Sequence, residues 1–205
     1  MDKQTYETNY WTQYVLLEEE FQKTTTYVEL DTQNNATFSN AFLKLLLGIG
    51  SEIDNVYKEI CGITGRTDMN VYAPQILQKY PGITTQKAGV KNMTIQLVPF
   101  RGWNLAQPSQ SLSFWDAYNR VKHDRISNYQ KASLQNTLNA LAGLFILEMY
   151  RMNELYFIDI DAYNSFPDHE SDLFIMDSWE HHFRTSKLKY PYSVIDDENN
   201  GRKLL

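Results

Sequence analysis

Between Phe114 and Arg125 the chain reads FWDAYNRVKHDR, which sets titratable and cationic groups beside aromatic ones. On a helix, Asn119, Lys122 and His123 fall at i, i+3 and i+4 and share one face. Arg125 follows two residues later, near the expected helix C-terminus, where cations are favoured. Histidine titrates near neutral pH without help, so His123 can take or give a proton. Lys122 and Arg125 can hold a phosphate and stabilise charge that builds on it, and Asn119 can orient the imidazole or a substrate. If the substrate is RNA, the proton removed is that of a 2′-hydroxyl, whose oxygen then attacks the neighbouring phosphate, and this chemistry needs no metal. The plainer reading of the same residues is structural. It makes His123 a capping or partner-bonding group, and Lys122 and Arg125 surface cations paired with Asp116 or Asp124.

Such a cluster needs a scaffold, and the pattern around it is helical. Phe114, Trp115, Tyr118 and Val121 form an apolar stripe beside the polar face. Ser133 is a candidate N-cap for the next helix, in which Leu134, Leu138, Leu141, Phe145 and Met149 recur at steps of three and four. Upstream, Tyr10, Tyr14, Leu17, Phe21 and Val28 predict a helix from about Asn9 to Glu29. Thr37 or Ser39 can cap a second, running to about Cys61, with Gly62 and Gly65 as its stop. Gly48 and Gly50 lie inside it and predict a close helix contact or a bend. Of the acids that follow, Glu52 and Asp54, the favoured reading is two exposed side chains; the other is a buried carboxylate facing the basic cluster. A short helix is predicted over Tyr72 to Tyr80 with Pro74 in its first turn. Met93, Ile95 and Leu97 alternate with polar residues and predict a strand within a small β-hairpin insertion near 83–100.

The expected fold is mostly α, an antiparallel helical bundle of four to five main helices with that small β-hairpin insertion. With 205 residues, 42% hydrophobic and 14% aromatic, the chain is read as a single globular domain, 1–205, with a loosely attached tail from about 186. A net charge of −6 excludes a uniformly basic nucleic-acid surface but not a local basic patch. The single Cys61 excludes an intrachain disulfide and a multi-cysteine zinc module, and makes a reducing compartment the default. The longest apolar run, Leu141 to Leu147, is far short of the ~18 residues of a membrane span. With no signal-like segment, a cytoplasmic protein without a membrane partner is expected.

Weaker signals lie towards the C-terminus. Eight acids between Glu154 and Glu180, with no Lys or Arg from Met152 to Phe183, read as a solvated acidic face or a contact for a basic partner. A helix is expected over about Ser171 to Phe183. Asp159, Asp161 and Glu170 only faintly match a calcium loop, since Asn164 stands where the turn needs Gly. His169, His181 and His182 are poorly spaced for a shared metal, so no metal or other cofactor is expected. Trp11, Trp115 and Tyr118 are expected in the core.

FWDAYNRVKHDR followed by ASLQNTLNALAGLFIL resembles the bacterial HEPN-like superfamily, in particular uncharacterised members with a Tyr-Asn-x-x-Lys-His-x-Arg segment before an apolar helix. The match covers about forty residues. The resemblance implies an up-and-down bundle that often dimerises. It also implies either a metal-independent endoribonuclease of a toxin–antitoxin or phage-defence system, or an inactive RNA-binding or scaffolding version. His123 matches the family His. The positions five to seven residues ahead of it, where the family carries its Arg, hold Asp116, Ala117 and Tyr118, with Arg120 three ahead and Arg125 behind. Expected partners are therefore RNA, a second copy of the chain, and an antitoxin or regulatory protein. Two other readings stand beside this one: a noncatalytic helical interaction or scaffold module, and a protein binding a nucleotide or small ligand.

Overall fold

The computed structural model describes residues 1–158, 167 and 169–176. The fold is mostly α with a small antiparallel sheet. Helix α1 (Lys3–Tyr6) runs through a π-helical turn, Glu7–Trp11, into α2 (Thr12–Thr24). The helical run therefore starts and ends earlier than the periodicity predicts. Asp2 caps it by accepting from the Thr5 N–H at 2.8 Å, a polar signal ahead of the apolar stripe. The hydroxyls of Thr24, Thr25 and Thr26 bond back to carbonyls three residues earlier, which ends the helix before Glu29.

Helix α3 (Asn40–Cys61) matches its expected bounds. Ser39 accepts from the Phe42 N–H at 3.1 Å, and Gly62 takes the left-handed conformation (φ 64) that closes the C-terminus. The chain then enters α4 (Met69–Lys79), capped by Asp68. Pro74 sits in the interior of α4, not in its first turn, because Asp68 caps the helix three residues earlier than expected. Its ring nitrogen has no proton for the Asn70 carbonyl, so the helix lacks one internal bond there.

Strands β1 (Ala88–Val90) and β2 (Gln96–Leu97) make a hairpin, with Ala88 opposite Leu97 and Gly89 opposite Gln96, but the strand expected from Met93 onward is confined to Gln96–Leu97, and Met93 lies exposed in the connection. The insertion is nevertheless three-stranded. β3 (Phe174–Ile175) pairs antiparallel with the other edge of β1, giving the order β2-β1-β3. This corrects the helix expected over Ser171 to Phe183: Phe174 and Ile175 form a strand, and Leu173 and Phe174 are buried. A short apolar run bounded by polar residues does not reveal its period. The remainder of that expected helix, with His181 and His182, lies outside the described residues, as do Asp159, Asp161, Asp168, Asp177, Glu180 and the tail from 186.

Helix α5 (Ser113–His123) is followed by the short α6 (Arg125–Asn128) and then by α7 (Leu134–Ile158). The first free N–H groups of α7 find partners outside the helix. Leu134 and Gln135 donate to the carbonyls of Thr37 and Asn35 at 2.8 and 3.1 Å, and Asn136 donates to the Ser133 hydroxyl at 3.3 Å. The core lies between α2, α3, α5 and α7, with Trp11, Trp115 and Tyr118 inside it as expected. Arg151 of α7 is bidentate to Glu59 of α3 at 2.6 and 2.7 Å and also holds Glu154 at 2.8 Å. Glu154 in turn meets Lys79 at 3.0 Å and Glu170 meets Lys91 at 3.1 Å, so these two acids are ion-paired and not a bare solvated face. Among the described residues, no helix is long and apolar enough to cross a membrane.

Two carboxylates are buried in this scaffold. Glu18 of α2 is 1% exposed and receives the segment that carries β3. It accepts from the hydroxyls of Tyr14 and Ser171, and from the Asp172 and Leu173 N–H groups at 2.7 and 3.2 Å. Glu148 of α7 is equally buried, near Tyr6, but neither its Oε2 nor the Tyr6 hydroxyl makes a hydrogen bond among the described residues. Burial is the main force that raises the Glu148 carboxyl; the nearby Tyr6 hydroxyl lowers it, the charges of Glu52 and Glu59 raise it, and together they leave it at about 8.

Candidate functional site

The polar face of α5 opens onto a cleft of ≈ 740 Å³ between α3, the start of α4 and α5. Its position follows from how α3 and α5 meet. At Gly50 the two helices touch: a Cβ there would come within 2.3 Å of the Tyr118 ring, so only glycine fits. Tyr57 of α3 packs edge-on against Trp115 at 5.8 Å between ring centroids. Both Trp115 and Tyr118 are buried, and their outer atoms form part of the cleft wall. Aromatic packing thus fixes α5 with its polar face towards the opening.

Lys122 is exposed and leans on the aromatic wall. Its ammonium donates to the Tyr118 hydroxyl at 3.1 Å and lies 5.1 Å from that ring's centroid. His123 is exposed at the last position of α5 and has no hydrogen bond or ion pair among the described residues. Asn119 is half-buried and donates to the Ser109 hydroxyl at 3.3 Å, which ties α5 to the loop before it. These three line the cleft together, as the helical spacing requires.

Arg125 does not join them. Asp124 leaves the helical conformation (φ −146, ψ 80), and Arg125 opens α6, exposed and outside the cleft lining. Nor do the nearby acids pair with Lys122 or Arg125. Asp116 holds Arg120 at 2.7 Å, and Asp124 accepts from the Ser127 N–H at 3.2 Å, a contact with that residue's hydroxyl and backbone that holds its carboxyl below the usual range.

The far side of the cleft comes from residues that spacing within one helix cannot find. Asp54 and Lys58 of α3 form an i,i+4 ion pair at 2.5 Å, each about 30% exposed. Asp54 is therefore neither an exposed acid nor a fully buried one; it is half-buried and faces the basic cluster. It also accepts from the Tyr72 hydroxyl at 2.9 Å. Burial, and next the bond to this carboxylate, push the Tyr72 phenol well up, so it stays a donor. Arg66 and Asp68 enter from the loop between α3 and α4. Asp68 is occupied as the α4 cap, accepting from the Asn70 N–H at 2.8 Å.

The assembled groups can bind an anion, move a proton through His123, and accept hydrogen bonds at Asp54. Cys61 is half-buried and burial raises its thiol, which works against thiolate chemistry. Among the described residues, no group of His, Cys, Asp and Glu side chains is arranged to hold a metal ion. His169 is exposed, 3.7 Å from Asp172.

No protein-family model matches the chain, and neither the curated proteins nor the solved structures contain a significant match to it.

Proposed function

We propose that the protein binds RNA through the α3–α4–α5 cleft. The observation that carries this reading is the exposure of Lys122 and His123, beside half-buried Asn119, at a cleft that also admits Arg66. Had His123 served only to tie the fold together, it would be expected to be buried and bonded; instead it is exposed and unbonded among the described residues. Cationic and amide donors on one polar wall suit a phosphate–sugar chain, even on a chain of net charge −6, because binding responds to the local groups and not to the total.

In the HEPN-like version of this reading, His123 takes the proton of a 2′-hydroxyl. That oxygen attacks the adjacent phosphorus, and the bond to the 5′-oxygen breaks, leaving a 2′,3′-cyclic phosphate and a 5′-hydroxyl that gains a proton. The same resemblance supplies the setting: a cytoplasmic homodimer in a toxin–antitoxin or phage-defence system, with an antitoxin or regulatory protein as partner. Fluorescence anisotropy with labelled single-stranded RNA tests the binding. The expected result is an affinity that falls with salt and is weakened by Lys122→Ala. Intact RNA after incubation with wild-type protein that binds it would remove the cleavage step and leave the binding.

One observation favours a scaffold or interaction module instead. Ile126 is 91% exposed on α6, directly beyond the cluster, and Phe38 and Tyr27 are also open at 48% and 90%. In that reading Ile126→Glu disrupts self-association measured by light scattering, while any RNA affinity is absent or insensitive to salt.

A further inference from the structure

The cleft holds several cations, but they differ in what they are free to do. Lys58 is committed to Asp54 at 2.5 Å. Lys122 already spends one donor on the Tyr118 hydroxyl. Arg120 is tied to Asp116, and neither it nor Arg125 lines the cleft. Arg66 does line it, is exposed, and has no ion pair or hydrogen bond among the described residues.

The loop that carries Arg66 is short and anchored at both ends. At the α3 terminus the Gly62 N–H bonds the Glu59 carbonyl at 3.2 Å and the Ile63 N–H bonds that of Lys58 at 2.9 Å, a Schellman closure. Gly65 turns the chain again with φ 92. Two residues beyond Arg66, Asp68 caps α4. The guanidinium is thus delivered to the cleft from a fixed base, on a different element from Lys122 and His123. A planar guanidinium offers paired donors that match two phosphate oxygens at once, which an ammonium does not.

We propose that Arg66 is the phosphate-gripping residue of this cleft, binding one phosphodiester of a single-stranded RNA in bidentate fashion on the wall facing Lys122 and His123. This rests on the RNA reading above. Asp54 and Asp68 stand on the same side. Both are already engaged, by Lys58 and Tyr72 and by the α4 N-terminus.

The test compares full-length Arg66→Ala, Arg66→Lys, Lys122→Ala and Arg125→Ala proteins, with Arg101→Ala as an exposed control of equal charge change. Each is titrated against a labelled single-stranded RNA between about 50 and 200 mM salt. Arg66→Ala is expected to weaken binding by about tenfold or more, and to lower the salt slope by about one. Arg66→Lys should restore the slope but only part of the affinity, because the charge returns without the fork. Arg125→Ala and Arg101→Ala should stay within about twofold of wild type. If Arg66→Ala behaves like Arg101→Ala while Lys122→Ala still weakens binding, the assignment of Arg66 is wrong and the RNA reading survives. If wild-type protein shows no salt-dependent RNA affinity, both fall.

Discussion

Polar groups are used in opposite ways where β3 meets α2 and where α3, α4 and α5 surround the cleft. Around Glu18 the polar atoms are consumed: the carboxylate is saturated by hydroxyls and backbone N–H groups, and the Ser171 hydroxyl also accepts from the Phe174 N–H at 2.8 Å. Around Lys122 and His123 the side chains are exposed and largely uncommitted. The first arrangement lowers the free energy of the fold, since a buried charge survives only when its lone pairs are met. The second contributes little to folding and leaves its donors available to a ligand.

Substitutions can break this contrast or sharpen it. The largest loss is expected from Glu18→Ala, which leaves the Tyr14 and Ser171 hydroxyls only each other as acceptors and removes the acceptor of the buried Leu173 N–H and the part-buried Asp172 N–H. Chemical denaturation should show a loss of roughly 3 kcal/mol or more. A loss below about 1 kcal/mol would mean that the β3 segment docks without the carboxylate.

Glu148 is the interior counter-example, a buried carboxyl with an unmet oxygen, and its effect depends on pH. Its folded pKa of about 8 lies above the ordinary 4.5, so the folded state holds a proton that the unfolded state releases. Stability from this group is therefore full below about 4.5 and declines as pH rises towards 8, where the site must ionise. The groups that face it are Tyr6 on α1 and Glu52 and Glu59 on α3, with Arg151 of α7 close to Tyr6. Glu148→Gln should raise stability by a few kcal/mol at pH 8, with the gain shrinking towards pH 5. Thermal melts across that range check it; parallel curves for the two proteins would count against it.

Gly50→Ala comes next. The new methyl meets the Tyr118 ring, so overpacking of about 1–3 kcal/mol outweighs a helix-propensity gain of about 1 kcal/mol. Because Tyr118 is also cleft wall, RNA affinity should fall with stability. The smallest effect on folding is expected in the cleft: Lys122→Ala and His123→Ala should move the melting midpoint by under roughly 2 °C. A large drop for His123→Ala would assign that residue to the fold.

Much of the scaffold is legible in the sequence because local chemistry decides it. Ser39 and Gly62 bracket α3 as their residue types require, and Gly50 marks a helix contact. The α5 half of the cleft is legible for the same reason, since Asn119, Lys122 and His123 need only a helical period to converge. Arg125 fails that test at one residue, Asp124, whose capping of α6 breaks the period. The other half is illegible because Asp54, Lys58 and Arg66 reach the cleft through tertiary packing. One local signal pointed at Arg66: two glycines and a capping Asp crowd into CGITGRTD, the grammar of a short fixed loop. The pairing of β3 with β1 had no such signal, because partners more than eighty residues apart leave no period to read.

The bond between Glu18 and Ser171 spans 153 positions of the chain. During synthesis at about 5–20 residues per second, Ser171 is added roughly 8–30 s after Glu18. Through that interval Glu18 lacks the partners that residues 171–173 give it in the fold. The pocket that buries Glu18 therefore cannot be completed until residues 171–173 have been made.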